Sequence, residues 1–200
     1  MRAGEGLTAE NDRSNTVMEP SIRRLDARQA EARIPALGSI LGDAVAHGAS
    51  VNFLTGVSVA ETEGFWRRQI PAIAAGETLL FVAEDGARLM GTVLLMFAHQ
   101  PNAPHRAEIG KMLVHSTARR QGVGRRLLTA AEEAARAAGR TLLMLDTETG
   151  SAGDLLYRSC GWVPLGVVPD HAFTPDGRLA PTTLYFKALG PHAPVEARAP

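Results

Sequence analysis

Hydrophobic positions along the chain switch repeatedly between helical and strand-like spacing. Ser21 to Arg24 reads as a short strand. From Ala27 to His47, the residues Ala30, Ile34, Leu37, Ile40, Leu41 and Val45 fall at helical spacings that Gly48 stops, and Pro35 divides or kinks the run. Ser58 followed by Glu61 is a capping box, after which Phe65, Ile70 and Ile73 lead to Ala75. Pro71 interrupts that segment, which predicts a second helix or a pair. Thr78 to Ala83 and Arg88 to Ala98 are apolar runs joined at Asp85-Gly86, a hairpin signal. Ala107 to His115 is a strand, Gly122 to Ala138 a helix ended by Gly139, and Thr141 to Asp146 a strand with an apolar Leu-Leu-Met-Leu centre. That succession predicts a parallel crossover with a buried last strand. Ser151 to Ser159 is a short helix, and Trp162 to Val168 and Thr182 to Ala188 are closing strands, with Asp176-Gly177 at the tip of the excursion between them.

Alternating helices and strands without repeats predict one α/β domain, mixed in the α+β sense, over residues 18–189. The flanking residues 1–17 and 190–200 lack apolar periodicity and read as disordered tails.

Composition then narrows the classes. With 45% hydrophobic and 21% charged residues the chain can build a core. Its longest apolar stretches fall well short of the roughly 20 residues that span a bilayer, so no membrane partner is expected. Lys plus Arg and Asp plus Glu balance at 21 each, which removes the global positive field of a nucleic-acid binder. Any anion site is therefore local. Cys160 is the one cysteine and cannot form an internal disulfide, and Met1 to Glu10 lacks a signal-peptide pattern, so a reducing cytoplasm is the expected location.

One segment breaks the neutral average. Arg119-Arg120-Gln121-Gly122-Val123-Gly124-Arg125-Arg126 lies between a predicted strand and a predicted helix and puts four positive charges within eight residues. Glycines let the backbone approach a ligand, and the free N–H groups and dipole of a helix start attract an anion, so a polyphosphate fits. The plainer alternative is a glycine turn with a solvated arginine face. The loop lacks both the Lys-Ser/Thr ending of a nucleotide P-loop and the third glycine of a dinucleotide fingerprint.

The pattern Arg119, Gly122, Gly124 after Met112-Leu113-Val114 resembles the acetyl-CoA signature of the GCN5-related N-acetyltransferases (GNAT superfamily). Tyr157 followed by Gly161 and Trp162 is similar to a second family motif in order and distance. Leu145-Asp146-Thr147-Glu148-Thr149-Gly150-Ser151, with Pro169-Asp170 and Pro175-Asp176-Gly177-Arg178-Leu179, resembles the tabtoxin-resistance acetyltransferases. The likeness covers about residues 20–189. It implies a GNAT fold: a twisted mixed sheet of about seven strands whose parallel central strands splay to admit the pantetheine arm, flanked by about four helices. It implies acetyl-CoA as co-substrate, without a metal, held by Met112, Leu113, Val114, Arg119, Arg120, Gln121, Gly122, Val123, Gly124 and Arg125. The Val114 N–H would stabilise the developing oxyanion.

Asp146, at the end of an apolar strand where burial would raise its pKa, is the candidate general base for the acceptor ammonium. The alternative is an Asp that caps the following turn. Tyr157 is the candidate general acid to the departing thiolate, against the reading of a ring that anchors its helix. Cys160 receives no role. His115 is a second base, a mouth residue or a turn residue; Glu148 is an amine holder or an exposed loop residue; Phe65 and Trp66 are a pocket roof or plain core. Gly150 stands where relatives carry an Asn, and Gly153 where Ala is usual, so that cofactor contact is absent or supplied by Ser151. The expected function is direct acetyl transfer to the amine of a small molecule, such as an amino-acid-like toxin or antibiotic (tabtoxinine-β-lactam in the subgroup). The alternative is a catalytically silent CoA-binding regulator or binding module. Family members often pair as homodimers through sheet edges or C-terminal strands.

Overall fold

The computed structural model describes residues 20–190. The tail expected over 1–17 lies outside them, as does all but the first residue of that expected over 190–200. Seven strands form one sheet in the order β1-β2-β3-β4-β5-β7-β6. They are β1 (Ser21–Leu25), β2 (Thr78–Asp85), β3 (Arg88–Phe97), β4 (Arg106–Val114), β5 (Leu142–Glu148), β6 (Val163–Phe173) and β7 (Leu179–Ala188). Only β4 and β5 run parallel.

Strand alternation sends side chains to two cores. Leu80, Val82 and Leu94 pack on one face under α1 (Ala27–Ala32), α2 (Ile34–Ala46) and α3 (Val59–Ala74). Phe81, Val93, Leu95, Leu143 and Leu145 pack on the other, under α4 (Val123–Ala137) and beside α5 (Ala152–Ser159), whose Tyr157 joins that core. Arg33, with φ −110°, splits the first expected helix, and Pro35 sits in the first turn of α2, where its missing N–H costs nothing. This accounts for five helices where about four were expected. Both halves of the Ser58–Glu61 capping box form. Pro71, expected to interrupt α3, stays inside it, three residues before the helix ends at Ala74. The closing strands are longer than expected and form a hairpin, which leaves β6 as an exposed edge. Among the described residues no helix is long and apolar enough to cross a membrane.

The central opening is built into two strands. β4 and β5 pair only from Arg106–Leu142 to Glu108–Met144, although β4 runs on to Val114 and β5 to Glu148. Along β4, Lys111 and Met112 oppose Val93 alone, and Lys111 takes φ 45°. The bulge bends β4 away from β5, and Thr92 secures it by donating from Oγ1 to the Lys111 carbonyl at 2.9 Å.

Candidate active site

The glycine loop has the properties of an anion cradle. Gly122, with φ 77°, is the N-cap of α4, and a Cβ added there would meet nothing within 4 Å, so the loop faces open space. The first bond into the helix runs from the Arg126 N–H to the Gly122 carbonyl at 3.1 Å. Among the described residues the N–H groups of Val123, Gly124 and Arg125 therefore have no backbone acceptor, as an incoming phosphate requires. The Val123 side chain is buried in the core, so it offers only its backbone. Gly124 is needed for packing, since a Cβ would lie 3.0 Å from Leu156 Cδ2. Gln121 braces the turn by donating to the Thr117 carbonyl at 3.0 Å, and Arg119 donates to the Val114 carbonyl at 3.5 Å. The four arginines do not form one patch. Arg119 and Arg120 are exposed on the loop, whereas Arg125, which also reaches Ser159 of α5 at 3.1 and 3.3 Å, and Arg126 together line a depression with Arg24 and Glu133.

Beyond the last β4–β5 pair, the edges of both strands are open. The His115 N–H donates to the Met90 carbonyl at 2.9 Å, so Gly91 and Val114 are a pair without mutual bonds. The Val114 N–H consequently points away from β3 into the opening, the orientation an oxyanion donor needs. Met144 is level with Glu108, which places Glu108, Asp146 and Glu148 along the α3 face of the opening. Asp146 is exposed, not buried as its strand suggested, because β4 has already diverged at that level.

Glu108 and Lys111 were not singled out in the sequence, yet both are electrostatically coupled to Asp146. Partial desolvation, reinforced by the Asp146 charge, pushes the Glu108 carboxyl above the usual glutamate range, against the pull of Arg106 and Lys111, although the residue as a whole is exposed. Desolvation likewise lowers the Lys111 ammonium, which the two carboxylates partly oppose. Lys111 Nζ lies 4.9 Å from the centroid of the Phe65 ring, so Phe65 borders the site, while Trp66 is 1% exposed and belongs to the core.

Tyr157 approaches from the other face. Its ring is buried against Trp162 (5.9 Å between centroids) and Tyr185 (6.1 Å). Burial, then the Asp146 and Cys160 charges, raise the phenol well above the ordinary tyrosine value, so it remains a protonated donor. Gly153 is explained by its neighbours: an added Cβ would stand 2.9 Å from Thr147 Oγ1. Ser151, considered as a replacement for the missing Asn, is the N-cap of α5 and accepts from the Asp154 N–H at 3.2 Å. His115 caps the turn after β4 and lies 3.7 Å from Asp43, whose carboxylate also accepts from the Ser116 N–H and hydroxyl at 2.7 Å; this is the turn role.

Asp154 holds α5 in place. Its buried carboxylate accepts from the Gly150 N–H (2.8 Å), Arg158 Nε (3.1 Å) and the Tyr185 hydroxyl. Burial alone would raise this carboxyl, but the three donors outweigh it and hold it below the usual aspartate range, while burial and Asp154 push Tyr185 up to about 12. A lowered folded value adds stability that is complete above the ordinary 3.8 and is lost as pH falls through the folded value. Asp154→Asn is therefore expected to cost about 2–3 kcal/mol at pH 7, and to flatten the fall of Tm below about pH 4. Thermal melts at neutral and acid pH check both; equal losses at both pH values would contradict the assignment.

Among the described residues no group of three or more His, Cys, Asp or Glu side chains is placed to hold a metal ion. The model of the acetyltransferase (GNAT) family matches residues 51–162, more than half of the chain. Solved structures share the fold. A GNAT superfamily phosphinothricin acetyltransferase from Sinorhizobium meliloti, in complex with acetyl-CoA, superimposes with a TM-score of 0.74 at 20% identity over 92% of this chain and 97% of its own. For yncA of Salmonella typhimurium, solved with its cofactor acetyl-CoA, the values are 0.72 and 20%, over 90% of this chain and 100% of its own. The ribosomal-protein-alanine N-acetyltransferase of Brucella melitensis gives 0.68 and 26%, over 84% and 99%. With the open cradle and the splayed strands, the family match establishes that the chain belongs to the acetyltransferase (GNAT) family and is an N-acetyltransferase.

Proposed function

We propose that this enzyme acetylates the amine of a small, amino-acid-like molecule, a toxin or antibiotic of the kind the tabtoxin-resistance likeness implies, and that it does so in the cytoplasm as one domain over residues 18–189. The observation that carries this reading is the opening itself: the Glu108 and Asp146 carboxylates on one face, the Tyr157 phenol on the other and the Val114 N–H on the β4 edge.

Acetyl-CoA, when bound, supplies the acetyl group as a thioester. The N–H groups of Val123, Gly124 and Arg125, with Gln121, Gly122 and the exposed Arg119 and Arg120, would hold its phosphates, and the backbone of Met112, Leu113 and Val114 would line its arm. Asp146 and Glu108 take the proton from the acceptor ammonium, directly or through water, because only the free amine is nucleophilic. A raised carboxyl is the stronger base, which favours Glu108 as the final proton holder. The Val114 N–H stabilises negative charge on the carbonyl oxygen. Tyr157, protonated throughout the physiological range, donates to the leaving sulfur.

Tyr157→Phe is expected to lower kcat roughly 10- to 100-fold with acetyl-CoA affinity nearly unchanged. An unchanged kcat would remove Tyr157 from the chemistry. The acceptor class is tested by incubating the enzyme and acetyl-CoA with a panel of small amines and, in parallel, with peptides that bear free N-termini, following thiol release and product mass. Preference for small amines is expected; faster turnover of the peptides would overturn the reading. Acetyl-CoA binding without thiol release from any amine would favour the silent regulator.

A further inference from the structure

Past Asp146, on the same face, lies a cavity of about 300 Å³. Val45 and Thr55 form one wall, Glu148 the floor towards β5, and Thr174, Asp176 and Arg178 of the β6–β7 turn the other wall. Glu148 follows Asp146 by two residues, so the cavity opens about 7 Å from the proposed base at a strand rise of about 3.3 Å per residue. The two walls are tied together. The Thr55 N–H donates to the Pro175 carbonyl at 2.8 Å, and the Ser50 hydroxyl donates to the Phe173 carbonyl at 3.4 Å.

Most polar groups in the turn are already committed. The Thr174 hydroxyl lies within reach of both the Asp176 carboxylate and the Arg178 carbonyl, which share its one proton, and the Arg178 N–H donates to it at 3.2 Å. These bonds fix the Arg178 backbone. By contrast, the Arg178 guanidinium makes no hydrogen bond or close ion pair among the described residues, but it is drawn electrostatically to the neighbouring Asp176 carboxylate, whose own hydrogen bond goes to Thr174; the Glu148 carboxylate has neither a hydrogen bond nor an ion pair among them. The cavity thus presents one cation, Arg178, whose five donors make no hydrogen bond among the described residues although Asp176 attracts it, and on the β5 side one carboxylate, Glu148, without a partner there.

We infer that this cavity is an acceptor subsite for a free carboxylate, in which Arg178 binds the carboxylate of a small amino acid whose amine lies between Glu148 and Asp146. The inference rests on the small-amine reading above and adds a requirement to it. A guanidinium matches a carboxylate with two parallel charge-assisted bonds. The amide carbonyl that a peptide N-terminus presents in the same place carries no charge to answer it. Glu148 attracts the ammonium and passes it towards Asp146, so the zwitterion is matched at both ends.

The test compares free amino acids with their C-terminal amides, by kcat/KM at saturating acetyl-CoA and by thermal shift of the CoA-bound enzyme. The acid form is expected to be preferred by about 10- to 100-fold, mainly through KM. Arg178→Gln should bring the ratio close to one, and Arg178→Lys should keep part of it. An acetyl-CoA thermal shift retained in both variants shows that they are folded. Acids and amides acetylated equally, or a preference that survives in R178Q, would overturn the subsite and leave acetyl transfer to small amines standing. A thermal-shift preference for acids that is lost in R178Q, without turnover of any small amine, would keep the subsite and overturn the small-amine reading instead. Neither turnover nor a shift with any probe would overturn the subsite.

Discussion

Replacing Glu108 by Gln and Asp146 by Asn together is expected to lower kcat/KM about 10³-fold at neutral pH, within the range for removal of a general base. The single variants should each lose less, because the carboxylates share one face and either can take the proton. The pH profile carries the stronger test. Only acceptor already deprotonated in solution can react in the double variant, so its deficit should shrink about tenfold per pH unit until the amine's own pKa. Asp146 also helps to hold the Glu108 carboxyl above its ordinary range, so Asp146→Asn should move the acid limb of the profile to lower pH. Unfolding would not mimic these results. A carboxyl raised in the folded state is one whose charged form the fold disfavours, so Glu108→Gln should leave Tm unchanged or higher at neutral pH. A double variant with the wild-type rate and profile would remove both residues from the mechanism.

Gly122→Val is expected to weaken acetyl-CoA binding about 100-fold, which corresponds to the loss of one or two charge-assisted bonds. Two effects act together. The wild-type backbone has φ 77°, where a β-branched residue is strained, and the side chain would project into the open space before the free N–H groups of α4. Strain in one exposed loop residue should cost only about 1–2 kcal/mol of stability. Calorimetric titration with acetyl-CoA beside a thermal melt separates the two. Unchanged affinity in a folded variant would mean that the loop is a turn with solvated arginines and no cradle.

Much of this architecture is legible in local pattern, because capping boxes, glycine stops and a two-residue hairpin act over a few residues. Ser58 and Glu61 cap α3, Gly139 ends α4 and Asp85-Gly86 turns the chain as their spacing predicts. Pro71 misleads because local pattern cannot say how close a proline stands to a helix end. Asp146 misleads in another way: an apolar strand predicts burial of its last residue, but burial depends on the neighbouring strand, and β4 has bent away.

The sequence by itself determined the order of elements, the glycine turn before α4 and the candidacy of Asp146 and Tyr157, since each of these is written in residues close together in the chain. Tertiary structure alone decided that Glu108 stands level with Met144 and so joins Asp146, that a bulge at Lys111 opens the sheet, and that Asp154 reaches Tyr185 to hold α5. It also decided that Glu148 and Arg178 share a cavity with Val45 and Thr55. The reason is physical. Strand register and the meeting of loops are set by the packing of two cores over the whole sheet, which no short window of sequence contains.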